Sequence, residues 1–164
     1  LWRIHRRAPP KGIIGIFNRS HYEDVIVVRV RNLVSESVGK ARYDLINDFE
    51  RILANGGTTI VKCFLYISKD EQRKRLQKRI DDPHKRWKLD PSDFEDRRRW
   101  ETYQKAYEDA VTRCNTEHAP WHIIPADHKW HRNLVVGRLL RETLDRMDPK
   151  FPPPQIDVSK IDLE

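Results

Sequence analysis

Cysteine, glycine and long apolar runs are all scarce in this chain, and each scarcity closes off a class of protein. The two cysteines among 164 residues, Cys63 inside an apolar run and Cys114 at a helix end, make neither a disulfide framework nor a metal-ligand spacing. A reducing cytoplasm fits that usage. No apolar run approaches the ~20 residues a spanning helix needs, and the opening Leu1-Trp2-Arg3-Ile4-His5 lacks a signal-peptide core, so no membrane role is expected. There are no internal repeats. Of the six glycines only Gly39 precedes a lysine; Lys40 is followed by Ala41, and Val34 stands where the first glycine of a phosphate-cradling loop belongs. With that loop missing and leucine as the first residue, the chain is expected to be the downstream part of a longer one. Acidic residues are outnumbered too, 25 against 32 basic ones, and the net charge of +7 implies an anionic partner: nucleic acid, nucleotide, polyphosphate or an acidic surface.

What is present centres on residues 12–24. The glycine-bounded run Ile13-Ile14-Gly15-Ile16-Phe17 reads as a buried strand of an α/β sheet. Such sheets bind ligands beyond the carboxyl ends of their strands, which is where Asn18, Arg19, Glu23 and Asp24 would sit. Ser20 and Glu23 have capping-box spacing, so a tight turn is expected to lead into a helix at His21, with its first amides and Arg19 forming an anion site. The alternative is that Asn18 and Ser20 only cap while Arg19, Glu23 and Asp24 are solvated surface. By propensity alone, residues 25–31 would be a further strand.

Ile14-Gly15-Ile16-Phe17-Asn18-Arg19-Ser20-His21-Tyr22-Glu23-Asp24, preceded by Trp2-Arg3-Ile4-His5 and Pro9-Pro10-Lys11-Gly12, resembles the polyphosphate kinase 2 family. Further similar pieces are residues 67–72, Asp81-Asp82-Pro83 with Trp87-Lys88, the aromatic-rich segment 100–111, and Pro125-Ala126-Asp127-His128-Lys129-Trp130, so that the resemblance covers residues 1–147. It implies a P-loop kinase-like three-layer α/β/α fold with a parallel sheet and a helical lid, here with the N-terminal strands and P-loop missing. It also implies phosphoryl transfer between inorganic polyphosphate and nucleoside mono- or diphosphates with Mg2+, and a helical segment at 21–31. A homo-oligomer is expected of the complete protein, and no specific nucleic acid.

Along the chain, a helix is expected at 40–54 with Tyr43, Ile46, Phe49, Ile52 and Leu53 on its buried stripe. Glycines 56 and 57 end it, and a strand follows at 58–67. Ser68 and Glu71 open a helix to about residue 80 that turns Leu76 and Ile80 inward. Asp81-Asp82-Pro83 stops it, a basic loop at 84–88 follows, and Ser92 with Glu95 opens a long helix to 113 that buries Trp100, Tyr103, Tyr107, Ala110, Val111 and Cys114. Residues 69–113 thus have the layout of a lid, or else of a solvated hairpin. A third strand is expected at 121–126, with Asp127 capping a helix over 128–146 whose apolar side is Trp130, Leu134, Val135, Leu139 and Leu144. Residues 1–147 read as one domain and 148–164 as a proline-rich, mobile tail.

Phosphoryl transfer needs cations to neutralise spreading charge and carboxylates to hold magnesium. Catalytic candidates are Arg19, Glu23 and Asp24. Because Asn18 stands where many family members carry Asp, the resemblance leaves Asp24 as the metal-binding carboxylate. Phosphate or polyphosphate candidates are Arg29, Arg75, Arg79, Lys85, Lys88 and Lys129; nucleotide candidates are Asn18, Glu23 and Asp127, with Glu23 as the position that sets acceptor range. His5, His21 and His128 are not at metal spacings and read as structural or as groups supporting the site's contacts from behind. Two competing functions are an ATP-dependent nucleoside monophosphate kinase and a non-catalytic polyanion binder. In the family's topology the P-loop strand lies between the strands resembling 13–17 and 58–67. The chain alone is therefore expected to leave an empty slot in its sheet and to be inactive and molten, aggregated or rescued by oligomerisation.

Overall fold

The computed structural model describes residues 1–156; the last eight positions of the expected tail lie outside the described residues. The centre is a two-stranded parallel sheet of β1 (Lys62–Tyr66) and β2 (Trp121–Pro125), in register from Lys62 opposite Trp121 to Tyr66 opposite Pro125. The helices around it are α1 (Trp2–His5), α2 (Val27–Val30), α3 (Glu36–Asn55), α4 (Lys69–Asp81), α5 (Pro91–Arg98), α6 (Trp100–Arg113) and α7 (Lys129–Met147). Short 3₁₀ turns at His21–Asp24 and Pro83–Lys88 complete the described elements. Parallel pairing requires a crossover, and α4, α5 and α6 supply it.

The expected strand at 13–17 does not form. These residues take no regular structure, and Ile14 and Ile16 are 73% and 89% exposed. A β-branched run becomes a strand only beside a partner edge, and β1 pairs with β2 instead. Residues 25–31 go the other way. Val25, Ile26 and Val30 are buried in one cluster with Tyr22, Tyr43, Ile46, Ala106, Ala110 and Cys114, so packing of α2 against α3 and α6 overrides strand propensity.

The apolar stripe of α3 holds for Tyr43, Ile46 and Phe49, whereas Ile52 faces solvent and Glu50 is buried in its stead. Gly57, with φ of 86°, makes the left-handed exit that the Gly56-Gly57 pair suggests. Ser68 Oγ accepts a hydrogen bond from the Glu71 amide at 3.1 Å, as the spacing predicts, but Ile80 remains exposed beside the buried Leu76.

The long helix expected from Ser92 to 113 is two helices broken at Arg99. Its cap is not Ser92 and Glu95. The box is formed by Asp90 and Asp93, because Pro91 suits the first helical position and shifts the start upstream. Asp127 does not cap α7, whose N-cap is His128 without a side-chain bond. The predicted apolar side of α7 is also largely open, with Trp130, Leu134 and Leu144 exposed and Thr143 its buried residue.

Candidate active site

Two constellations of candidate residues are held in place by different parts of the sequence. The first lies past the carboxyl ends of β1 and β2. There Asp127 Oδ1 accepts a hydrogen bond from the Ser68 amide at 2.7 Å, tying the exit of one strand to that of the other. This amide and the Ser68 side chain hold the Asp127 carboxyl below its ordinary range. Arg75, on the first turns of α4, donates through Nη2 to the carbonyls of Ala126 at 2.7 Å and Asp127 at 3.2 Å, and through Nε to Glu71 at 2.7 Å. Arg75, expected in the lid, thus meets the backbone of Asp127, expected at the mouth of the last strand, with its Nη2 spent on that backbone and its Nε on Glu71.

The second constellation is the turn at 18–24. Arg19 has φ of 63°, a left-handed conformation that costs a non-glycine residue about 1–2 kcal/mol. Its side chain is 80% exposed and lies 3.6 Å from Glu23 Oε1. Asn18 and Asp24 are exposed, and the backbone carbonyl of Asp24 accepts from Arg42 Nη1 at 2.9 Å. Ser20 Oγ accepts from the Tyr22 amide at 3.4 Å, so the capping bond is weaker and one residue nearer than the box spacing implied. A cavity of about 370 Å³ opens beside the turn, lined by Trp2, Arg3, Ser20, His21 and Asp24. The Tyr107 ring of α6 packs with its centroid 4.8 Å from that of Phe64 on β1.

The remaining candidates are distributed. Arg29 is ion-paired with Asp109 of α6 and lies 3.5 Å from the Tyr43 hydroxyl. Arg79 pairs with Asp93 at 3.4 Å, and Lys85 with Asp82. Lys88 stands 5.1 Å over the Trp87 ring, and Lys129 is exposed without an ion-pair partner among the described residues. The α4–α5 hairpin thus carries a basic rim whose charges are half engaged by local carboxylates. The His5 ring packs tilted against Phe49 with centroids 4.5 Å apart, and the His21 ring meets it edge to face at 5.4 Å. Among the described residues no three His, Cys, Asp or Glu side chains cluster to hold a metal ion.

Sequence reading missed a buried polar network under the turn. Glu50, 1% exposed, receives hydrogen bonds from Tyr22 at 2.8 Å and Lys62 at 2.7 Å and lies 3.2 Å from His21 Nε2. The signal was available: Glu50 sits at i+4 from Ile46 and i+7 from Tyr43, on the apolar stripe of α3, and Lys62 interrupts the apolar run that becomes β1.

The profile of the family described as polyphosphate kinase 2 matches residues 1–152. An AMP/ADP-polyphosphate phosphotransferase of Meiothermus ruber is 55% identical over 164 residues, covering 100% of this chain and 61% of the relative. An ADP-polyphosphate phosphotransferase of Rhodopseudomonas palustris is 43% identical over 93% of this chain and 57% of its own length. The chain therefore spans about 60% of these two curated relatives. The crystal structure of a polyphosphate kinase 2 from Arthrobacter aurescens superposes with a TM-score of 0.91 at 44% identity, over 96% of this chain and 56% of that one. The two-stranded parallel sheet and its helices match that α/β architecture, and with the family's profile running through the Arg19 turn, the hairpin and the strand ends alike, this chain belongs to the polyphosphate kinase 2 family.

Proposed function

We propose that this chain carries the cation and acceptor side of a phosphotransferase that moves phosphoryl groups between inorganic polyphosphate and nucleoside mono- or diphosphates. The observation that carries the reading is the exposed Arg19 guanidinium on a strained turn, with Glu23 beside it and Asp24 one residue further on. Strain of this kind collects at sites where a fixed side-chain direction matters. A phosphate oxygen of the acceptor attacks the terminal phosphorus of the polymer, one P–O bond forms as the bridging P–O bond breaks, and the polymer leaves one unit shorter. Arg19 binds the transferred group bidentately and neutralises the charge that spreads over its oxygens.

Asp24 fits a magnesium ion, because its carboxylate is exposed and without an ion-pair partner among the described residues, while Glu23 is engaged by Arg19. Mg2+ is held by one or two carboxylates together with substrate phosphates, and when bound it screens the phosphate oxygens. Asn18, Glu23 and Asp127 are the candidates to contact the acceptor nucleotide. Arg79, Lys85, Lys88 and Lys129 give the polymer a basic track, with Arg75 holding the strand-end loop and Arg29 steadying α2. In this reading the observed sheet belongs to a three-layer P-loop kinase-like fold whose lid is the hairpin at 69–113.

The test is a transfer assay with polyphosphate, Mg2+ and AMP or ADP, run beside calorimetric binding of inorganic tripolyphosphate. Nucleotide product, or tripolyphosphate binding lost in Arg19→Lys, supports the reading. Phosphorylation from ATP in place of polyphosphate makes the chain a nucleoside monophosphate kinase instead, and the absence of both product and Arg19-dependent binding overturns the proposal.

A further inference from the structure

The network beneath the Arg19 turn is closed to an unusual degree. Lys62 Nζ uses all three of its protons, donating to Glu50 Oε2 at 2.7 Å, to the Tyr22 hydroxyl oxygen at 2.8 Å and to the Cys114 carbonyl at 2.7 Å. Tyr22 in turn donates its own O–H to Glu50 Oε1 at 2.8 Å. A carboxylate can only accept, so His21 Nε2, at 3.2 Å from the same oxygen, is the protonated ring nitrogen. The ammonium also lies 5.2 Å from the Tyr22 ring centroid and 5.0 Å from that of Trp121, and the two rings meet edge to face at 4.7 Å. Five elements converge on this cluster: the turn at 21–24, α3, β1, the end of α6 and the start of β2.

Stability does not account for it. A buried ion pair roughly breaks even against apolar side chains of similar volume, because desolvation cancels most of the Coulomb gain. What apolar side chains would not reproduce is the direction imposed on two consecutive residues, His21 and Tyr22, both fastened to one carboxylate. These residues follow Arg19 and Ser20 directly. A left-handed arginine persists only where its surroundings over-determine it, and a 3₁₀ turn of four residues capped by a 3.4 Å bond is too slight to do so alone.

We propose that Glu50 and Lys62 are positioning residues that, by clamping His21 and Tyr22, hold Arg19 in its left-handed conformation and so aim its guanidinium at phosphate. The clamp acts at a distance: neither side chain reaches solvent, and neither touches substrate. The aim of the guanidinium rests on the phosphate reading above, whereas the clamp itself is a statement about the turn.

The test replaces the ion pair without removing its volume, in the Glu50→Gln/Lys62→Met double variant of the full 164-residue chain. Thermal unfolding, the ¹H–¹⁵N amide spectrum and calorimetric affinity for inorganic tripolyphosphate are measured. The expected result is a melting temperature close to that of the unmodified chain, displaced or exchange-broadened amides at Arg19, Ser20, His21, Tyr22 and Glu23, and tripolyphosphate affinity weakened about tenfold, the usual cost of removing a buried support behind a binding group. Unchanged amides at 19–23 in the folded double variant overturn the proposal. Tyr22→Phe removes only the oxygen that Glu50 and Lys62 share, and decides in the same way should the double variant fail to fold. If the amides move but the unmodified chain binds no tripolyphosphate, the phosphate reading falls and the clamp stands.

Discussion

Asp127, just beyond β2, accepts the backbone N–H of Ser68, just beyond β1, at 2.7 Å across 59 positions of sequence. This bond closes the carboxyl end of the sheet and simultaneously satisfies an amide at the N-terminus of α4. Asp127→Asn is expected to lower the melting temperature near neutral pH. The folded carboxyl titrates below its ordinary value of 3.8, so its stabilisation is complete above that value and lost as pH falls through the folded one. The two proteins should converge as pH falls below the ordinary carboxylate value in a pH series of thermal scans; a constant gap would remove the charge from the explanation.

Arg19 yields two substitutions with opposite signs. Arg19→Gly relieves the left-handed strain and should stabilise the chain by about 1 kcal/mol while abolishing Arg19-dependent phosphate binding. In a chain extended to the length of its relatives, Arg19→Lys keeps a charge but loses the two-pronged contact, and should cost about 2 to 4 kcal/mol in the transition state with a smaller loss of nucleotide affinity. Chemical denaturation and steady-state kinetics measure the two. A destabilised glycine variant would show that φ of 63° carries no strain.

In the same extended chain, neutralising Arg79, Lys85 and Lys88 to glutamine should raise KM for long polyphosphate more than for the nucleotide, since only the polymer is long enough to track the basic rim. Arg75 is left out of this set because its bonds to Ala126 and Asp127 make its removal a structural change. Equal movement of both constants would reduce the rim to ordinary surface.

Acid should unfold the protein partly through Glu50. Burial alone would raise its pKa, but the donors from His21, Lys62 and Tyr22 outweigh that and hold it below its ordinary 4.5. The unfolded state thus takes up the extra proton first, and stability falls as pH drops below about 4.5 toward the folded value. Urea unfolding of Glu50→Gln should show a flatter pH dependence in that window, and an unchanged slope would assign acid lability elsewhere.

Ile13, Ile14 and Ile16 are exposed, and β1 has β2 as its only strand partner among the described residues. Unpaired strand edges beside apolar surface promote association. The chain should bind a hydrophobic dye and self-associate in light scattering, and Ile14→Lys/Ile16→Lys should suppress both. A monodisperse chain that binds no dye would count against this.

Sequence alone determined the elements whose signals are local. Ser68 opened α4 and Asp82-Pro83 closed it, the left-handed Gly57 ended α3, and β1 and β2 lay within the runs expected for them, because caps and periodicity act over a single turn or strand. The Arg19–Glu23–Asp24 group was legible as a cluster for the same reason, being six residues of one turn. Tertiary structure decided everything that needs a partner distant in sequence. Residues 13–17 had the composition of a strand and found no edge, while residues 25–31 had it as well and became helical because α3 and α6 offered an apolar seat. Asp127 served Ser68 rather than its own helix, and Arg75 turned to the backbone after β2. Above all, Glu50 and Lys62 looked like flaws in apolar stretches until the fold set one against the other, since a buried charge is tolerable only where its counter-charge and its remaining hydrogen bonds are brought to it.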